Sequence, residues 1–307
     1  MAVQTPAATR ARIARRKRWD VVFAVIGVVC LMIGVLTIAA LLADMAVKGA
    51  PRLSYEFFTS FPSRHAERAG ILSAWVGSAL VMVVTAAAAV PVGVAAGVYL
   101  EEYAPRNWMT TVIEVNITNL AGVPSIVYGL LALGVFVYQF GLGQSILSAG
   151  LTLALLILPV VIVATREAIR AIPAAIREGS YALGATRWQT VRHHVVPYAT
   201  PGILTGVIIG MARAIGETAP VITIGALTFI AFLPVREEAP LASLLSLEWL
   251  MAPFTVMPIQ IFNWTSRPEA AFQANAAAAG FVLVLMTLAM NGIALWLRYR
   301  MRRAIKW

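Results

Sequence analysis

Charge is the scarcest property of this sequence. Asp, Glu, Lys and Arg make up 12% of its 307 residues, about half the roughly 25% of a soluble domain, which excludes an ordinary water-soluble fold. Cysteine occurs once, at Cys30 inside the first apolar run, so no intrachain disulfide can form. The histidines are His65, His193 and His194, split between two polar stretches, and they offer no zinc-ligand set. Lysine is confined to Lys17, Lys48 and Lys306, and no G-x4-G-K-[ST] loop exists, so the chain cannot cradle ATP by itself. An intramembrane enzyme would need a nucleophile–base pair, paired carboxylates or metal ligands at membrane depth, and none is found. No cofactor is therefore expected on this chain.

Apolar sequence is what the chain has in abundance. Hydrophobic residues reach 60% and the mean hydropathy is +0.81, so the expectation is an all-α integral membrane protein with membrane lipid as its solvent. The net charge of +10 does not point to nucleic acid. The basic residues cluster beside apolar runs, where they act as topology signals, and do not interleave with aromatics.

Arg10, Arg12, Arg15, Arg16, Lys17 and Arg18 precede an uncharged run of 23 residues, Val21–Ala43. A secretory signal core spans only about 7–15 residues, so this run reads as a retained first transmembrane helix. A second span covers Ile71–Leu100, with Pro91 and Gly93 expected to kink or break it. No charge occurs from Val115 to Thr165, which is too long for one helix, and the turn Gly141–Ser145 divides it into spans three and four. Span five runs from about Tyr198 to Ala219, Val221–Pro234 is short enough to be re-entrant or interfacial, and Ala270–Leu297 is the sixth span. Glu114 and Asp44 read as interfacial residues.

Six spans place both termini and the 166–197 loop on one side. Seventeen of the 24 Lys and Arg lie on that side and six on the other, which makes it the cytoplasmic side. The expected organisation is a basic tail (1–18), a first helix with an outside segment (19–70), a core (71–298) and a second basic tail (299–307).

Within the polar loop, Glu178 to Leu183 can form a short helix that Gly184 interrupts by a left-handed turn. Thr186 can cap a second helix, Arg187 to His194, expected to end before Pro197. Two short helices in an L could sit on a partner and transmit force. The other reading is an ordinary solvated loop. Glu178, Gly184 and Pro197 are spaced E-x5-G-x12-P. The stretch resembles the cytoplasmic "EAA" loop of ABC-importer permeases, with Gly179 and Ser180 in place of its alanines, His194 of its Ile and Val196 of its Leu.

In span five, Gly202, Gly206 and Gly210 form a small-xxx-small stripe that lets a neighbouring helix approach closely. Arg213 and Glu217 each fall seven residues after a member of that stripe, about 20° from it, and so border the helix seam. A charge at mid-span costs on the order of 3 kcal/mol, so it needs a partner or a water-filled cavity. As an i, i+4 pair the two can neutralise each other and lock the helix. Alternatively Arg213 is a cationic station for an anion, with Glu217 setting its strength. Arg213 lies roughly 22 Å along the helix from Tyr198, past the midplane.

Ala212–Pro220 is similar to the span-five signature of phosphate-uptake permeases. Gly122–Gly129 and Pro258–Trp264 also resemble segments of the A-type permease of that Pst system. The resemblance covers roughly residues 71–295. It implies a type I importer permease of the bacterial cytoplasmic membrane that translocates inorganic phosphate. It further implies a heterodimer with a C-type permease, two copies of a cytoplasmic ABC ATPase carrying the ATP and Mg, and an external phosphate-binding protein. It adds Thr218 to the pathway residues Arg213 and Glu217, and Ala185 to the coupling residues Glu178 and Gly184. A permease for sulfate or molybdate, or a membrane scaffold or receptor without transport, are the competing readings.

Overall fold

A computed structural model describes residues 6–234 and 246–304. All regular structure in it is helical. The long elements are α1 (Pro6–Gly49), α3 (Leu72–Val98), α6 (Ile146–Arg170), α9 (Val196–Ile215) and α12 (Ala270–Ala304). Between them lie α2 (Tyr55–Thr59), α4 (Trp108–Leu120), α5 (Ser125–Ala132), α7 (Ala174–Ala182), α8 (Arg187–Thr190), α10 (Ala219–Ile224) and α11 (Met257–Thr265). Among the described residues five helices are long and apolar enough to cross a membrane, and six if α4 and α5 count as one broken span.

Helix α6 is the centre. Its neighbours α3 and α9 pack along its length, and Leu153, Leu156, Ile157 and Val161 are buried between them. Small residues set the spacing on both sides. A Cβ on Gly97 of α3 would lie 2.6 Å from Cβ of Thr165, and one on Gly202 of α9 would lie 2.6 Å from Cβ of Ala168. A Cβ on Gly206 would overlap that of Ala164, and Gly210 faces Ile157. The span-five stripe therefore meets alanines of α6. Bare backbone fits there because lipid supplies no hydrophobic drive and close van der Waals contact has to hold the helices together.

Helix α1 is the opposite case. Its apolar side chains from Trp19 to Leu41 are exposed, and it leans mainly on α12. The segment from Ala50 to Gly70 is tied down by Arg52, which donates to Asn275 Oδ1 of α12 at 2.6 Å and to the carbonyls of Ala66 and Ala69. Phe57, Ile71, Met257, Trp264 and Phe272 form a second core beneath it.

Several expectations need correction. Pro91 does not break span two: α3 runs through it and ends in a π turn, Tyr99–Tyr103. Neighbouring helices make an interior proline tolerable in a membrane fold. Span three does not start after Glu114, which lies inside α4; it is broken, with α4 and the helix from Ser125 to Gln139 bent by 106°. The cause is local, since Pro124 disfavours helical geometry at Val123. Gly141 and Gly143 both adopt positive φ and make the expected turn. Of the 221–234 stretch only the first four residues are helical, as the end of α10 (Ala219–Ile224), which stops at Gly225 with φ +98°. Within the stretch between the fifth and sixth spans, α11 is buried, and its Met257 N–H donates to Ser78 Oγ of α3 at 2.8 Å. Arg236, one of the six basic residues counted on the other side, lies beyond the described residues.

The α6–α9 approach predicts a contrast between two glycines. Gly206→Leu should destabilise the protein by about 1–3 kcal/mol, the usual cost of overpacking. Gly27→Leu on α1, where nothing lies within 4 Å of a new Cβ, should be close to neutral. Thermal unfolding in detergent measures both, and equal shifts would contradict the packing described.

Candidate coupling element and substrate pathway

The loop after α6 is a compact bracket. Residues Ile172 and Pro173 turn the chain into α7, and Gly184 ends it with φ +83° and open space around its α-carbon. The left-handed backbone, not crowding, makes glycine necessary there. Ala185 N–H closes the turn on the Ser180 carbonyl at 3.2 Å. Thr186 then starts α8 with a full capping box: Gln189 N–H donates to Thr186 Oγ1, and Thr186 N–H donates to Gln189 Oε1 at 2.8 Å. A buried hydrogen bond of 2.8 Å between the hydroxyls of Ser180 and Thr190 holds α7 against α8.

The second helix does not end before Pro197. α8 passes through a π turn, Val191–Val195, directly into α9, so Arg187–Ile215 is continuous. Pro197 stands inside this continuous helix, directly after the π turn, where its missing N–H removes one bond of the helical ladder. Val195, Ala199 and Ile203 bury this junction against Ile169 and Ile172. The outer surface carries Glu178, Tyr181, Trp188 and Leu183, the last 91% exposed.

Beneath the bracket lies a charge frame that sequence reading did not single out. Glu101, in the π turn after α3, receives Arg170 Nη2 at 2.9 Å and lies 3.6 Å from Arg166 Nε. Arg166 Nη2 also reaches Glu114 of α4 at 2.7 Å. Glu102, 6% exposed, pairs with Arg177 of α7 at 2.7 Å. The signal was present in the chain as acidic residues closing one apolar run and basic residues closing another. Their partnership depends on helix ends that are far apart in sequence.

At the far end of α9, about 26 Å from Val196 by helical rise, Arg213 Nε lies 3.5 Å from Glu217 Oε1. The contact is loose. Arg213 is 38% exposed, and its Nη groups have no partner among the described residues. Glu217 is not on the helical stripe, because α9 stops at Ile215 with Gly216 as its cap. It lies in the link to α10, whose first position follows Thr218, and the Thr218 carbonyl accepts Ile222 N–H at 3.0 Å. A cavity of about 10 Å³ beside Glu217, lined by Ser78, Met82, Leu153 and Val256, has room for one water and no more.

Two of the motif segments meet here. Gly129 of α5 is so close to Pro220 and Thr223 that a Cβ would overlap them, and Tyr128 Oη braces the α4–α5 break by donating to the Leu120 carbonyl at 2.8 Å. The third segment, Pro258–Trp264, packs instead beside α3 and α12.

Residues 89–306 match the family described as "Binding-protein-dependent transport system inner membrane component". The chain belongs to that family. It is an ABC importer permease subunit of the inner membrane. Among its relatives, the "Probable ABC transporter permease protein YqgI" of Bacillus subtilis is 33% identical, over 87% of this chain and 91% of that protein. The "Phosphate transport system permease protein PstA 1" of Mycobacterium tuberculosis is 33% identical, over 75% and 71%. A solved chain of the MetNI methionine ABC transporter in an inward-facing conformation superposes with a TM-score of 0.52 at 15% identity. The match covers 77% of this permease and 96% of that chain, and it concerns the fold alone.

The charge frame of the permease carries its own prediction. Arg166→Met leaves two carboxylates without their buried partner, and the loss of charged hydrogen bonds should cost about 1.5–3 kcal/mol. Glu167→Gln removes only an exposed pair with Arg170, 63% exposed on the Glu167 side, and should shift stability by less than about 0.5 kcal/mol. Melting temperatures of the two variants decide it, and comparable shifts would deny the frame its structural role.

Proposed function

We propose that this chain is the membrane subunit that carries inorganic phosphate inward in an ATP-driven importer. The observation that carries the reading is the half-open Arg213, paired loosely on one edge and, among the described residues, without a partner at its Nη groups. A guanidinium so placed offers a planar fork of charge-assisted hydrogen bonds, which suits a tetrahedral oxyanion. Sulfate or molybdate would meet the same fork. The similarity to the phosphate transport system permease PstA 1 of Mycobacterium tuberculosis favours phosphate.

In this reading Arg213, Glu217 and Thr218 line one side of the pathway. The water-sized cavity beside them fits a pathway completed by a second, C-type permease subunit. The bracket of Glu178, Gly184 and Ala185 docks on a cytoplasmic ABC ATPase, present in two copies, which binds ATP and Mg. An external phosphate-binding protein delivers the substrate. The basic tails and the bracket face the cytoplasm, as the distribution of Lys and Arg supports.

Two experiments test this. If Arg213 only neutralises Glu217, the double variant Arg213→Met with Glu217→Gln should transport normally, since no buried charge is left unpaired. If Arg213 binds the passing anion, that variant should assemble yet take up phosphate about 10–100-fold more slowly, the equivalent of losing a charged hydrogen bond. Glu217→Gln alone should be milder and Arg213→Lys partly active. Initial uptake normalised to assembled complex is the measurement, and near-normal uptake by the double variant removes Arg213 from the mechanism. For the bracket, Gly184→Val forces a β-branched residue into positive φ. Membrane insertion should be normal while ATP hydrolysis stimulated by the binding protein falls; unchanged stimulation would make the bracket a mere connector.

A further inference from the structure

Helix α7 is attached to the rest of the chain by two weak links. At one end is the Ile172–Pro173 turn, at the other the left-handed Gly184. Helix α8, by contrast, is continuous with α9 and needs nothing more to move with it. Ile176 packs α7 on the apolar cluster of Ile169, Ile172 and Val195, and side-chain bonds fix its direction with respect to the spans. One is the Ser180–Thr190 hydroxyl bond to α8. The others converge on Arg177.

The Arg177 guanidinium donates Nε and Nη2 to Glu102 Oε1, at 2.9 and 2.7 Å. Its Nη1 donates to the Ile172 carbonyl and its Nη2 to the Ile169 carbonyl, both at 3.0 Å. One side chain on α7 thus bonds the end of α6 and the end of α3. It also satisfies carbonyls left over at the close of α6, where a cation is favoured. On the other side, the π turn Tyr99–Tyr103 presents its consecutive glutamates to different partners. Glu101 goes to Arg166 and Arg170 of α6, and Glu102 to Arg177 of α7. Glu102 is nearly out of reach of solvent, so the carboxylate is stable there only with the guanidinium in place.

We infer that Glu102 and Arg177 are positioning residues for energy coupling, forming the joint through which a displacement of α7 is passed to α3 and α6. The inference rests on the reading of the 177–197 bracket as an ATPase-docking element. Neither residue touches substrate or nucleotide; each acts through the placement of α7. With the joint broken, α7 keeps its Ser180–Thr190 bond to α8 but loses its tie to α3, and a push on the bracket is passed mainly to α9.

The test uses the whole transporter in vesicles with its external binding protein, reading phosphate taken up per ATP hydrolysed. Glu102→Gln keeps the shape and removes the charge. The complex should assemble and hydrolyse ATP, while uptake per ATP falls roughly threefold to thirtyfold, the range expected for loss of a coupling contact. Glu102→Asp, which retains the charge on a shorter arm, should recover part of that ratio, and it serves as the readout if Glu102→Gln does not assemble. Arg177→Gln combined with Glu102→Gln should be no worse than Arg177→Gln alone, because the pair acts as a unit. Glu167→Gln should keep the wild-type ratio. A wild-type ratio in assembled Glu102→Gln complex, or in Glu102→Asp complex where only that variant assembles, overturns the inference. Gly184→Val separates the two claims. If it uncouples while the Glu102 variants do not, the joint alone is wrong; if neither uncouples, the docking reading is wrong as well.

Discussion

The fold depends on how closely two helices approach α6. Lipid gives apolar side chains no reason to leave it, so helix association in a membrane rests on contact area and short interaxial distance. Glycine against alanine on the α9 side, and Gly93 and Gly97 against Val161 and Thr165 on the α3 side, provide that distance. With α6 held between α3 and α9, their polar ends fall together at one end of the bundle. The charge frame and the bracket are built there. The Arg213–Glu217 pair lies at the opposite end of α9, so a single rigid element connects the proposed docking surface with the proposed anion station.

The helices are interrupted where function is proposed, and each interruption is locally satisfied. Backbone N–H and C=O groups at membrane depth cannot turn to water, so a break has to supply its own partners. The α4–α5 break is braced by Tyr128 on the Leu120 carbonyl. The end of α6 is capped by a guanidinium, and α8 by its capping box. Where the helix widens into π turns, at 99–103 and 191–195, the chain stays helical and reorients the side chains that follow. That is how a proline can stand at position 197 without separating the bracket from span five.

Charges in this protein are used sparingly and in two different ways. At the base, Arg166, Arg170 and Arg177 are consumed by carboxylates: Arg166 by Glu114, Arg170 by Glu101 and Arg177 by Glu102. Such pairs hold helix ends in register more than they add net stability. Arg213 is not consumed in this way. The difference between a satisfied guanidinium and a half-free one separates the frame from the pathway more clearly than position in the chain does.

Much of the architecture was legible in the sequence because bilayer thickness and hydropathy constrain it directly. The apolar runs, the turns at Gly141, Gly143 and Gly184, the cap at Thr186 and the glycine stripe are local features. A residue's own backbone preference or a fixed helical period decides each of them. Other features depended on what lies across space. Pro91 and Pro197 read as breaks, yet both stand in continuous helix. The first half of the uncharged run, which read as span three, is bent by 106° at Pro124, with α5 seated against α10. The burial of α11 was not legible either, because its cover comes from α3 and α12. Glu101, Glu102, Arg166 and Arg177 were not singled out by sequence. Their pairing spans up to 75 residues of chain, and only the packing of α3 against α6 brings those ends within hydrogen-bonding distance.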